Sequence, residues 1–143
     1  MTINQLSVFI ENKSGTLLKV LLLLKKADIQ LIASTIADTV DYGICRFICS
    51  EPLRAYQVLK DAGVAVAKSD VFAVVLDNQP GRAADAIEVF AREDIEITYL
   101  YSFLLNGKGI LIFRTDHPER AKEIIADNKL SVISEDDLLN LAK

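Results

Sequence analysis

Two short segments carry residue types suited to holding a small anion: Asn12-Lys13-Ser14-Gly15 and Asn78-Gln79-Pro80-Gly81. Each lies between a run that reads as a strand and a run that reads as a helix, so its glycine stands where a helix begins. The first amides of a helix lack partners within it and the helix dipole is positive at that end, which attracts a carboxylate or a phosphate. Glycine lets a ligand approach the backbone closely, and an asparagine amide beside it can orient the anion. Charge-assisted hydrogen bonds of this kind contribute about 1.5–3 kcal/mol each. A tight strand-to-helix turn also favours Asn, Pro and Gly for its own geometry, so the spacing alone leaves a purely structural reading open.

Other chemistries find little in the chain. His117 is the single histidine, and Asp116-His117-Pro118-Glu119 reads as an exposed helix start, so no catalytic residue is assigned. Without a second histidine no metal cluster is expected, and no Gly-rich lysine loop suggests a nucleotide; no cofactor is expected. Cys45 and Cys49, the two cysteines, would lie about 13 Å apart on one face of a strand, too far to bridge, which makes core packing their expected role. The formal charge of −4 with scattered Lys and Arg argues against a nucleic-acid partner, because phosphate neutralisation needs clustered cations. No apolar run approaches the roughly 18 residues of a membrane span, and the start of the chain lacks the basic and apolar regions of a signal peptide. The cytoplasm is the expected compartment, with no membrane partner.

The elements that must position the two turns come in duplicate. Shifting the chain by about 66 residues lays Asp28-Ile29 on Asp94-Ile95, Gly43-Ile44 on Gly109-Ile110, Phe47 on Phe113, and Pro52, Arg54 and Ala55 on Pro118, Arg120 and Ala121. The matches fall on glycines, a proline and acidic segment ends, where backbone geometry restricts the choice. In the first copy, Leu6 to Ile10 reads as a strand, Thr16 to Ala27 as a helix with Ser14 as its cap, and Ile29 to Thr39 as a strand. Asp41-Tyr42-Gly43 then reads as a hairpin turn, Ile44 to Cys49 as a strand, Pro52 to Gly63 as a helix and Val64 to Ala67 as a short strand. The second copy repeats these roles over Phe72–Leu76, Arg82–Glu93, Glu96–Leu105, Ile110–Thr115, Pro118–Asp127 and Leu130–Ile133, with Asn106-Gly107 as a strong hairpin signal. Ser134 to Leu141 reads as a capped short helix.

The order β-α-β-β-α-β is the split arrangement of ferredoxin-like folds. The expected class is α+β: two ferredoxin-like repeats, 1–67 and 70–134, packed side by side, each an antiparallel sheet with helices on one face, followed by a short helix over 135–143. A lone unit of about 60 residues buries only roughly 60% of its unfolded surface, and Lys68-Ser69-Asp70 is too short for a flexible tether. Leucines at 17, 18 and 21 to 24 surround nearly the whole first helix. Either the neighbouring repeat or a second chain in a homodimer is expected to cover them.

The stretch Val74-Val75-Leu76-Asp77-Asn78-Gln79-Pro80-Gly81-Arg82-Ala83, followed by Ala91-Arg92-Glu93-Asp94-Ile95-Glu96-Ile97, resembles the start of an ACT domain, a small regulatory module that binds amino acids in many metabolic enzymes. The first copy, from Phe9 to Leu17 and Ala27 to Leu31, is similar, with Ser14 where a proline is usual. The resemblance implies a non-catalytic, allosteric amino-acid sensor with a free amino acid as ligand, a homodimer, and a regulated protein partner. By matching position it assigns ligand binding to Asn12 and Asn78 with their turn neighbours Lys13, Ser14, Gly15, Thr16, Gln79, Pro80, Gly81 and Arg82. Gln30 and Glu96 stand where the family commonly has a second amide, and ionised Glu96 would favour an ammonium or a basic side chain. Paired domains of the family often hold ligands at their seam, where Tyr99 would form a wall. The contrasting reading is an interaction module whose leucine-rich helix docks a protein and whose turns bind nothing.

Overall fold

The computed structural model describes residues 2–11, 14–38 and 42–142. The elements are β1 (Thr2–Glu11), α1 (Ser14–Lys26), β2 (Leu31–Asp38), β3 (Tyr42–Cys49), α2 (Pro52–Asp61) and β4 (Val66–Leu76), then α3 (Arg82–Arg92), β5 (Ile97–Leu105), β6 (Lys108–Thr115), α4 (Pro118–Asp127) and α5 (Glu135–Leu141). The fold is α+β with the β-α-β-β-α-β pattern made twice. Contacts divide the chain into one unit of Asn4–Ser69 and another of Asp70–Lys143 together with Met1–Ile3, so the division falls inside β4.

In the first unit β3 is central, antiparallel to β1 through pairs such as Leu6 with Phe47 and Ile10 with Gly43, and to β2 through pairs such as Asp38 with Gly43. Phe9 N–H donates to Ala65 O at 3.1 Å, which ties the approach to β4 onto β1. Leu6, Val8, Phe47, Val20, Leu24 and Leu59 form one apolar cluster, so α1 and α2 cover the same face of the strands. Each fully buried side chain of this size contributes about 1.5–3 kcal/mol.

The second unit repeats this plan. β6 lies between β4 and β5, and both pairings are antiparallel. Phe72, Val74, Leu111 and Phe113 meet Phe90 of α3 and Ile124 of α4. Phe113 anchors the cluster, with ring centroids 5.4 Å from Phe72 and 5.1 Å from Phe90, distances at which aromatic pairs attract beyond their buried area. Asn106 and Gly107 both have positive φ, 52° and 76°, the geometry of the tight turn that matches strand twist.

The duplicated positions show what the repeat encodes. Ile29 N–H bonds Leu24 O at 2.9 Å and Ile95 N–H bonds Phe90 O at 3.0 Å, each beside an aspartate in left-handed conformation, Asp28 at φ 59° and Asp94 at φ 57°. At the ends of α2 and α4, Val64 N–H bonds Leu59 O and Leu130 N–H bonds Ile125 O, both at 3.0 Å, with Gly63 at φ 80° and Lys129 at φ 53°. All four helices therefore close in the same left-handed motif, which satisfies carbonyls that would otherwise be orphaned. Arg54 and Arg120 match as well. Arg54 bonds Glu51 and Ala27 O, whereas Arg120 bonds Glu123 and Glu93, so each arginine links the second helix of its repeat to the end of the first.

Three expectations change. Val64–Ala67 and Phe72–Leu76, expected as separate strands around a polar linker, are one strand, Val66–Leu76. Lys68 and Asp70 are exposed there, so alternation lets polar residues sit inside a strand. Leu130–Ile133 is not a full strand but a single bridge, Val74 with Val132, flanked by Val75 N–H to Ser131 O at 2.8 Å and Ile133 N–H to Ala73 O at 3.1 Å. Lys129 turns left-handed just before it and Ser134 caps α5 just after it. In the expected hairpin turn, Tyr42 and Gly43 already belong to β3, and Asp41 lies outside the described residues. The capped C-terminal helix forms as α5, with Ser134 Oγ accepting from Asp137 N–H at 3.1 Å.

Candidate functional site

β4 ends at Leu76, and the chain reverses through Asp77–Gly81 into α3. Gln79 N–H donates to Asp77 O at 2.8 Å and tightens the bend. Gly81 then takes φ 87° at the N-cap. A Cβ placed there would meet nothing within 4 Å, so the need for glycine is conformational rather than steric. The helix ladder begins with Asp85 N–H to Gly81 O at 3.0 Å, and no side chain caps the helix. The first-turn amides thus stand at the positive end of the dipole without a side-chain acceptor.

Charge of both signs flanks this helix start. Arg82 Nε donates to Asp77 Oδ1 at 2.6 Å and Arg82 Nη1 to Asp85 Oδ2 at 3.4 Å. Hydrogen bonding to Asp77, joined by its charge and by Asp85, pushes the Arg82 guanidinium above its ordinary value. The groups are exposed, and such pairs add little to stability. Their placement puts carboxylates and a guanidinium, paired with one another, within one turn.

A pocket of about 360 Å³ opens against the turn, lined by Asp77, Asn78, Gln79, Gly81 and Arg82 on the polar side, by Ala83 of α3, and by Leu76, Leu104 and Leu111, with Ser102, Phe103 and Gly109, on the sheet side. This lies at the small end of the roughly 300–1,000 Å³ typical of ligand pockets. Strand register makes the floor: Leu76, Gly109 and Leu104 pair in one row, and Leu111 and Ser102 in the next but one.

The sequence-derived site residues therefore divide. Asn78, Gln79, Gly81 and Arg82 come together around the pocket, and Pro80 sits in the same turn without lining it. Glu96 and Tyr99 do not line it. β6 pairs Gly109 with Leu76 at one end and Thr115 with Ile97 at the other, which places Glu96 about 20 Å along the strands from the turn. Gln30 likewise belongs to the far end of the first unit, where its N–H donates to Ser50 Oγ at 3.0 Å. In that unit Asn12 and Lys13 lie outside the described residues, as does the Ser14 side chain. Gly15 and Thr16 fall inside the first turn of α1, so Gly15 is not the left-handed residue that Gly81 is. Asp77, Ser102, Leu104, Gly109 and Leu111 escaped sequence reasoning, although Gly109 carried a signal through its match to Gly43.

Elsewhere, Cys45 and Cys49 are buried thiols that form no disulfide, and burial pushes the Cys45 thiol up. Among the described residues no group of three or more His, Cys, Asp or Glu could hold a metal ion, and no helix is long and apolar enough to cross a membrane.

The chain is 37% identical to protein BT0572 from Bacteroides thetaiotaomicron, with a TM-score of 0.91 over 97% of this chain and 96% of that one. It also shares a fold with the regulatory subunit of aspartate kinase from Thermus thermophilus in a ligand-free form (15% identity, TM-score 0.62) and with aspartokinase alpha and beta subunits (16%, 0.59), each over 87% of this chain and 90% of that one. Comparison with curated proteins gives no match. A family model described as an ACT domain pair matches residues 1–142, and the chain belongs to that family.

Proposed function

We propose that this chain is a non-catalytic sensor of a free amino acid, bound at the turn between β4 and α3, and that it works in the cytoplasm as a homodimer. One observation carries the reading: the pocket at Asn78–Arg82 offers, within a single turn, helix amides that no side chain caps, an asparagine amide, a guanidinium and a carboxylate. A zwitterion has a negative and a positive end and matches that pairing. Similarity to regulatory subunits of aspartate kinase fits a regulatory role.

A ligand of about ten heavy atoms at roughly 0.5–0.8 kcal/mol each binds with about 5–8 kcal/mol, which corresponds to high- to low-micromolar affinity. Its effect on an output partner is limited by its difference in affinity between two states of the protein. Glu96 and Tyr99 take no part in this turn, because β5 begins at the far end of the strands. The deciding experiment is thermal unfolding of the full chain against each of the twenty amino acids at millimolar concentration. Stabilisation by one or a few supports the sensor, and stabilisation by none removes it.

The interaction-module reading draws on α1, where Leu18 is 55% and Leu22 49% exposed. A full chain that ignores every amino acid yet loses self-association on Leu18→Glu would favour that reading instead.

A further inference from the structure

Leu76, Gly109 and Leu104 are neighbours in one row across three strands, contributed by β4, β6 and β5. The outer two carry large apolar side chains and the central one carries none. Paired residues of adjacent strands point to the same face, here the face on which Leu111 and Ala83 also line the pocket. The missing side chain at position 109 thus leaves a hollow with apolar walls directly beneath the polar turn. Leu104 is 66% exposed, an arrangement that leaves apolar surface uncovered beside a depression.

Gly109 is not required by its backbone. It is not among the residues of positive φ, and a Cβ there would meet only Leu76 Cβ at 3.7 Å and Leu76 O at 3.8 Å, ordinary contact distances. Strands disfavour glycine, and β-branched residues suit them better. Neither strain nor crowding therefore accounts for glycine at this position.

We infer that Gly109 is a specificity-determining residue: it makes room for the side chain of the bound amino acid, and because that room is walled by Leu76, Leu104, Leu111 and Ala83 the side chain is apolar. The inference rests on the amino-acid reading of the pocket and goes beyond it to the class of ligand. The zwitterion's charged ends lie along Asp77–Arg82, and its side chain lies over Gly109. A charged side chain in that hollow would find no opposite charge among the strand residues that line it, with Ser102 their one polar side chain.

The test is isothermal titration of the full chain with glycine, leucine, phenylalanine, aspartate and lysine, for the wild type, Gly109→Val and Leu104→Ala. The wild type is expected to bind leucine or phenylalanine at least tenfold more tightly than glycine, aspartate or lysine. Gly109→Val is expected to lose at least tenfold in affinity for the apolar ligand while its thermal midpoint holds. Leu104→Ala, at an exposed position, should weaken the apolar ligand and leave glycine unchanged, which keeps the test valid if Gly109→Val fails to fold. Tightest binding of aspartate or lysine, or unchanged apolar affinity in both variants, overturns the inference while the sensor reading stands. Binding of none of the five by the wild type overturns the inference, and stabilisation by none of the twenty amino acids in thermal unfolding overturns both.

Discussion

Asn78 and Gly81 divide the work of the turn. Gly81 supplies a left-handed φ of 87° that brings α3 to its start, and Asn78 supplies an amide at the pocket rim. Asn78→Ala removes the amide without touching the core, so ligand affinity should fall by about tenfold, the equivalent of one hydrogen bond to a charged group, with the unfolding midpoint unchanged. Calorimetric titration of the variant checks this, and an unaltered Kd would remove Asn78 from the site. The thiols make the opposite case. Cys45 and Cys49 are 4% and 1% exposed, which shields both from reagent, and the Cys45 thiol, pushed up by burial, forms little reactive thiolate. Both should resist Ellman's reagent in the native protein and react once it is denatured; rapid native labelling would contradict a packing role.

At the scale of elements, the four helices of the two repeats end alike, but the left-handed position is filled by Asp28, Gly63, Asp94 and Lys129. Glycine adopts that conformation without the Cβ penalty borne by other residues. Lys129→Gly should therefore raise stability by about 0.5–1 kcal/mol, and Gly63→Ala should lower it by about 1 kcal/mol, both read from chemical denaturation. A Lys129→Gly variant no more stable than the parent would show that the Lys129 side chain makes a compensating contact. Two of these closures were legible in the sequence because Asp28-Ile29 and Asp94-Ile95 repeat, whereas Gly63 and Lys129 differ. The bridge at Val132 was not legible, since Leu130–Ile133 has the composition of a full strand.

For the whole molecule, a ligand that binds only the folded state adds stability in proportion to the logarithm of its concentration. At about one hundred times Kd the gain is about 2.7 kcal/mol, a rise in the unfolding midpoint of roughly 5–11 °C for a chain of this size. The rise should depend on ligand concentration in the wild type and be reduced in Asn78→Ala at equal concentration. A shift that ignored concentration would indicate a general solvent effect rather than a site.

The sequence by itself determined the duplicated β-α-β-β-α-β order, the helix starts at Pro52 and Pro118, the Asn106-Gly107 hairpin and the turn at Asn78–Arg82. Each of these is written locally, in residues whose backbone preferences or hydrophobic spacing act within a few positions of themselves. Tertiary structure alone decided which residues share the pocket. Leu76 is distant along the chain from Leu104 and Gly109, which the local hairpin already joins, and becomes their neighbour only through strand register, while Glu96 and Asn78, flanking the same helix, are carried to opposite ends of the sheet. The register of β4 against β6 is fixed by the collective burial of Phe72, Val74, Leu111 and Phe113, a property of the two strands together that neither segment contains alone.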